Sequence, residues 1–307
     1  MAFDFASKPG RPRVIGLLDL ASGGLSRIPS LDNRSMVQPC FARSGESLCV
    51  SIERGSGAPA SLATIDLQNF RTRLFAQVNG YAVESPIYSR DGRSLIYTIC
   101  EPFYKPTYIC SVEIASGKMS TMLPPQEGFY LIIGLQNGRQ DTVLFQGIGP
   151  ASSPLQSSIK NLGLSPITNS IFYRLKPGFP PEMIFPELNK RTVISPKTPG
   201  DAYTSLSSSA NENLVVTVGV SDDQPYQPNG AFNDEIFSIV YDGVAVELTH
   251  LRSHLGAVNV SNDGRYAVFL SDPDRAYRFD ACLLEISTGR ITELHLLDRL
   301  SGSPLFL

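Results

Sequence analysis

A chain of 307 residues with 29 acidic and 26 basic side chains carries a formal net charge of −3, which excludes a generally basic nucleic-acid binder though not a local basic patch. Charged residues make up 18%, against roughly 25% in an average soluble protein, while 25 Gly and 23 Pro imply many turns and few long exposed helices. No apolar run approaches the roughly 18 residues of a membrane-spanning helix. Met1 to Gly10 has no apolar h-region, so a cytoplasmic protein without a signal peptide and without membrane contact is the expectation.

Phe3-Asp4-Phe5-Ala6 reads as a short strand, followed by a hairpin from Arg13 to Pro29. Pro39-Cys-Phe-Ala-Arg-Ser-Gly-Glu-Ser-Leu-Cys-Val-Ser then places two apolar strands about a tight turn at Gly45, and Ile65-Asp-Leu-Gln-Asn-Phe-Arg-Thr-Arg-Leu supplies another hairpin. Pro86-Ile-Tyr-Ser-Arg-Asp-Gly-Arg-Ser-Leu-Ile-Tyr-Thr repeats the first pattern with Gly92 in place of Gly45, and Val112-Glu-Ile-Ala-Ser-Gly-Lys-Met-Ser-Thr-Met repeats the second. Weaker copies of the first surround Asn137-Gly138 and Asn211, and looser copies of the second begin at Tyr173 and Val240. Val258-Asn-Val-Ser-Asn-Asp-Gly-Arg-Tyr-Ala-Val-Phe-Leu and Leu284-Glu-Ile-Ser-Thr-Gly-Arg-Ile-Thr-Glu-Leu end the series. In each turn Gly supplies a positive φ and the Asx residue bonds its own backbone, as a hairpin requires.

Two hairpins alternating at a fixed period predict four-stranded antiparallel blades, none stable alone, packed face to face in an all-β propeller. The count is six: residues 1–30 plus 300–307, 36–77, 83–124, 127–186, 203–249 and 255–297, together one domain. Ser303-Pro304-Leu305-Phe306 matches Ser85-Pro86-Ile87-Tyr88, the expected innermost strand of a blade. The C-terminus is therefore expected to supply one strand and the N-terminus three, which closes the ring and removes sheet edges. The stretch Ser89-Arg-Asp-Gly-Arg-Ser-Leu-Ile-Tyr-Thr, followed by Cys110-Ser-Val-Glu-Ile-Ala-Ser-Gly-Lys, resembles the repeat of TolB-type, WD-like propellers. Arg90 and Asn262 stand where that repeat has Pro, and residues from about 150 to 200 depart from it. The resemblance implies the fold. Function does not follow, because such propellers serve as periplasmic binding modules, peptidase gates, sugar lyases and lactonases.

The turns carrying Asp-Gly and Ser-Gly are short and share one face, whereas Arg54–Ser61, Glu101–Thr107, Gly149–Ser170, Asn189–Tyr203, Ser221–Glu235, Thr249–Gly256 and Asp272–Asp280 gather on the other. Long connections on a rigid scaffold are the expected working surface. Ala151–Asn169 and Glu187–Asp201 exceed what a blade needs and suit a lid or partner arm. Candidate ligand-binding residues are Glu101, Tyr104, Asp222, Tyr226, Asp274, Arg275 and Tyr277, whose carboxylates suit a divalent cation and whose rings suit a sugar or other small polar ligand. The plain alternative is ordinary solvated loops. Candidate catalytic residues are His250, Arg252, His254 and Asp272. The histidines are spaced as metal ligands on one helical face, although a loop between blades is the preferred reading of the segment.

No nucleotide or redox cofactor motif is present, Ser157-Ser-Ile-Lys160 reads as coincidence, and Tyr277 occupies the place of the Gly that a calcium loop needs. The five cysteines, Cys40, Cys49, Cys100, Cys110 and Cys282, read as buried reduced thiols, with cross-strand pairing of Cys40 with Cys49 and of Cys100 with Cys110 geometrically open. Two functions follow. The first is a binding propeller that holds a small molecule or a protein on the loop-rich face. The second is an enzyme (a lyase, hydrolase or isomerase, with or without a metal) at the mouth of the central channel.

Overall fold

The structure, a computed structural model, describes the chain except for residues 6–9, 21, 23, 56–57, 79–81, 101–107, 125–130, 139–140, 149–170, 186–201, 209–213, 221–232, 240–244, 251–253, 256–257, 262, 273–279 and 295–307. Among the described residues the regular elements are strands apart from one 3-10 turn at Leu31–Asn33. No helix among the described residues is long and apolar enough to cross a membrane.

Ala2–Phe5 (β1), Val14–Leu18 (β2) and Leu25–Ile28 (β3) form a three-stranded sheet. Met36–Phe41 (β4), Ser47–Ile52 (β5), Ala60–Asp66 (β6) and Thr72–Val78 (β7) follow as a four-stranded meander. Three more repeat that order: Ala82–Tyr88 (β8), Ser94–Cys100 (β9), Tyr108–Glu113 (β10) and Met119–Leu123 (β11); Leu131–Asn137 (β12), Val143–Ile148 (β13), Ile171–Leu175 (β14) and Glu182–Phe185 (β15); and Ala202–Ser208 (β16), Leu214–Val220 (β17), Asn233–Ile239 (β18) and Ala245–His250 (β19). In the last sheet His254–Leu255 (β20) and Asn259–Val260 (β21) both pair with Tyr266–Asp272 (β22), followed by Asp280–Glu285 (β23) and Arg290–Glu293 (β24).

Five complete blades are thus present, where six four-stranded ones were expected. The first sheet is the exception for a definable reason. β1 and β2 lie against β4 as β5 and β6 lie against β8, so they stand to the second sheet as the middle strands of that sheet stand to the third. Ser303–Phe306, expected to fill its first position, lie outside the described residues.

The turn chemistry is repeated atom for atom. Ser89 Oγ donates to Asp91 and accepts from Ser94 N, while Arg93 N donates to Asp91. Ser261, Asp263, Arg265 and Tyr266 make the same three bonds. Gly92 and Gly264 sit at φ 71° and 72°, a region closed to most side chains by their Cβ. Both hairpins of a blade are then tied together, because Leu67, Ile114 and Ile286 each donate a backbone N–H across to Glu46, Arg93 and Arg265.

Alternation along the strands places one apolar set between each pair of neighbouring sheets. Ile15, Met36, Leu48, Val50 and Ile52 fill the first interface, and Cys49, Leu62, Leu95, Tyr97 and Val112 the second. Another cluster joins Phe3 and Leu18 of the first sheet to Leu270 and Ala281 of the last. Gly16 lets Phe3 lie flat on β2, since a Cβ there would stand 2.6 Å from the Phe3 ring. Phe3 is buried and has nowhere to swing. Gly16→Ala is therefore expected to destabilise the fold by about 1–3 kcal/mol through overpacking, read as a lower urea midpoint at unchanged slope.

The first strands of successive blades lie side by side, and β4, β8, β12 and β16 each carry a bulge. At the bulges Gln38, Ser85 and Gly134 adopt φ of 54°, 50° and 64°. The bulge turns the Ser85 N–H out of its own sheet, where it donates to Gln38 Oε1 of the preceding blade at 2.6 Å. Further along, Ser207 Oγ accepts from Gln136 Nε2 at 2.8 Å and from Val260 N at 3.0 Å, linking three blades through one hydroxyl.

Candidate functional site

Strand direction sorts the connections into two groups. The turn between first and second strands has five residues in every complete blade: 42–46, 89–93, 138–142, 209–213 and 261–265. Connections between second and third strands emerge at the opposite end and run longer, through 53–59, 101–107, 149–170, 221–232 and 273–279. A short turn returns the chain directly, whereas a long one has backbone and side chains to spare for recognition.

At the long-connection end the fifth and sixth sheets bring four chemistry-bearing residues together by register. β19 ends at His250, whose Cα partner is Glu235 on β18. β20 begins at His254, whose Cα partner is Asp272 on β22. β18 and β20 adjoin, so the two backbone pairs share one end of neighbouring blades.

A third acid lies toward the same end, between the first two sheets. Asp4, on the same face of β1 as Ala2, is 1% exposed. Arg13 Nη1 stands 3.0 Å from Asp4 Oδ2, an ion pair by distance, yet neither carboxylate oxygen meets hydrogen-bond geometry with any described group. Burial pushes the Asp4 pKa up to about 6; the Arg13 guanidinium opposes that rise and the Glu53 charge adds to it. Arg13 is itself fixed to β4, donating its N–H to Ser35 Oγ and accepting from Met36 N.

No family model matches the chain, and no curated protein sequence matches it. Solved structures do. TolB from Acinetobacter baumannii superposes with a TM-score of 0.68 at 12% identity, covering 99% of this chain and 65% of that one. The putative TolB from Agrobacterium tumefaciens gives 0.59 at 13% identity, over 92% of this chain and 87% of the other. The fold is that of a TolB-like β-propeller. A prolyl endopeptidase structure shares it, with a TM-score of 0.57 at 11% identity over 95% of this chain. The chain spans 39% of that endopeptidase and just under two thirds of the Acinetobacter protein. Identities this low carry the fold alone.

On this propeller the expected site residues divide into two groups. Glu101, Tyr104, Asp222, Tyr226, Arg252, Asp274, Arg275 and Tyr277 lie outside the described residues. His250, His254 and Asp272 are placed by their backbone, and there the loop reading and the helical spacing both give way: the histidines terminate two strands, because β-pairing with Glu235 and Asp272 extends to them. Only residues 251–253 separate β19 from β20. Among the described residues no three His, Cys, Asp or Glu side chains gather to hold a metal.

The cysteines follow the expectation in part. Cys40 and Cys49 are cross-strand partners and both are thiols. Cys110 faces Tyr97, three residues from Cys100, so the second pairing is excluded by register. Burial raises the pKa of the Cys49, Cys110 and Cys282 thiols, that of Cys282 to about 11, which makes them poor nucleophiles. Asp4 was absent from the expected site. No local signal marked it, because between Phe3 and Phe5 an acid reads as the solvent-facing position of an alternating strand.

Proposed function

We propose that this chain is a binding propeller, holding a small-molecule or protein ligand with the long connections at one end of its blades. The observation that carries this reading is the register that sets His250 beside Glu235 and His254 beside Asp272 at that end. Imidazole and carboxylate together serve polar ligands and hard or borderline cations. In the same reading the first sheet is the greater part of a sixth blade, and Ser303–Phe306 is its innermost strand. The likeness of that segment to Ser85–Tyr88 and the packing of Phe3 and Leu18 on Leu270 and Ala281 support it.

The same pairs favour one second reading, an enzyme of the lyase, hydrolase or isomerase kind, with His254 as proton carrier and Asp272 as its orienting partner. A thermal-shift series with Mn²⁺, Zn²⁺, uronic-acid oligosaccharides and short peptides tests both. The expected result is a probe that raises the melting temperature of the native chain and fails to do so for the His250→Ala, His254→Ala, Asp272→Ala triple variant. Shifts that survive intact in the triple variant would remove this end of the blades from consideration. Turnover of a stabilising oligosaccharide or peptide would decide for the enzyme.

A further inference from the structure

The second sheet departs from the repeat at both of its turns, and both departures lie at the short-turn end, opposite the surface just discussed. Where other blades have Ser89 with Asp91, or Ser261 with Asp263, this one has Ala42 and Ser44, so no carboxylate follows Arg43 directly; the acid of the turn is Glu46, three residues on, and the two form no ion pair. In the other turn Phe70 takes the left-handed position, φ 55°, that Gly117 and Gly289 hold in their blades. A bulky residue there is strained by about 1–2 kcal/mol, and its ring remains 54% exposed. Such strain is typical of sites kept for a purpose other than stability. Arg71 and Arg73 follow immediately, and the next blade contributes Arg90 at the turn position equivalent to Arg43.

These turns frame an open pocket of about 690 Å³ between the two blades, lined by all four arginines, a size in the range of small-molecule sites. Two carboxylates share it, Asp66 and Asp91, and each is occupied by its own turn. Asp66 accepts from Gln68 N and from the Asn69 side chain, and Asp91 from Ser89 Oγ and Arg93 N. Arg73 lies over the Phe75 ring and Arg90 donates to the Gly138 carbonyl. Among the described residues Arg43 and Arg71 form no ion pair. The result is a local positive excess on a chain whose net charge is −3. At the floor Ser47 Oγ and the buried Tyr88 hydroxyl share one hydrogen bond of 2.9 Å. Two hydroxyls bring two protons and their mutual bond uses one, so the other is available to an acceptor in the pocket.

We propose that this pocket binds a small multivalent oxyanion, a phosphate ester or a polycarboxylate, clamped by the arginines at the rim and met by a hydroxyl donor at the floor. Guanidinium forks match both groups in geometry and charge. Binding here is independent of the long-connection end, so either site can fail without the other.

The test is isothermal titration of the whole chain with pyrophosphate and, separately, with citrate at physiological ionic strength. Saturable binding of one equivalent is expected for at least one of them, and the preferred anion identifies the group as phosphoryl or carboxylate. The double variant Arg43→Gln, Arg71→Gln should weaken it by about tenfold or more, since charge-assisted bonds are the strong ones. Both side chains are exposed, and an unchanged melting temperature of the variant will show that the fold is intact. Arg93→Gln, in the same turn as Arg90 but outside the pocket lining, should leave affinity unchanged. Absence of saturable binding by both anions, equal binding by the double variant, or an equal loss in Arg93→Gln would each overturn the proposal.

Discussion

Asp4→Asn is expected to stabilise the folded chain by about 2 kcal/mol at pH 7.5 and to change its stability little at pH 3.5. The carboxyl titrates near the ordinary aspartate value of 3.8 when the chain is unfolded and at about 6 when folded. The folded state thus holds the proton more tightly, and between those two values it binds more protons than the unfolded state. Stability from this group is fully present below pH 3.8, falls as the pH rises toward 6, and is constant above. A two-unit difference, which already includes the attraction to Arg13, corresponds to about 3 kcal/mol, and the burial of an amide in place of a carboxyl subtracts from it. Arg13 keeps solvent access, with 26% of its side chain exposed, so the substitution does not strand a buried cation. Urea titrations of both chains across pH 3.5 to 7.5 check this. Parallel curves would show that Asp4 titrates normally and that the Arg13 pair fully compensates its burial.

Phe145→Ala is expected to cost about 3–5 kcal/mol, a large part of the 5–15 kcal/mol that typically holds a domain together. Phe145 is wholly buried on β13, and its ring stacks on Tyr173 of β14 with centroids 5.2 Å apart and planes 18° from parallel. Truncation removes the transfer energy of the ring, opens a cavity between strands that cannot collapse without breaking their ladder, and ends the stacking. Phe179 is the contrasting case: 59% exposed, with the Lys176 ammonium 5.1 Å from its centroid. Phe179→Ala should fall within about 0.5 kcal/mol of the parent. Equal denaturant midpoints for the two variants would mean that the fourth sheet contributes nothing to the cooperative unit.

What the sequence made legible was local. Turns at Gly45, Gly92 and Gly264 were readable because Gly with an Asx or Ser neighbour encodes a hairpin within a few residues, and their φ values of 76°, 71° and 72° follow. The all-β class and the four-stranded blade came from repetition of that short code. The bulges at Gln38 and Ser85 were not readable, since neither residue favours a positive φ by itself and the conformation is held by the neighbouring blade. Likewise Asp4 lies on β1 and Arg13 in the connection before β2, and the pocket arginines belong to three turns and one strand on two blades. Sites assembled between repeats carry no spacing rule along the chain. Of the expected site, the histidines and Asp272 were misread as loop, because strand pairing extended further than their loop-like composition suggested.

The bond from Ser85 N–H to Gln38 has a bearing on how the molecule breathes. An amide inside a ladder exchanges with solvent when its own strand frays, but this one is shielded by a side chain from the adjoining blade. Its exchange requires the Gln38 side chain to leave it, so this proton reports on the contact between two inner strands, which the surrounding ladder amides do not register.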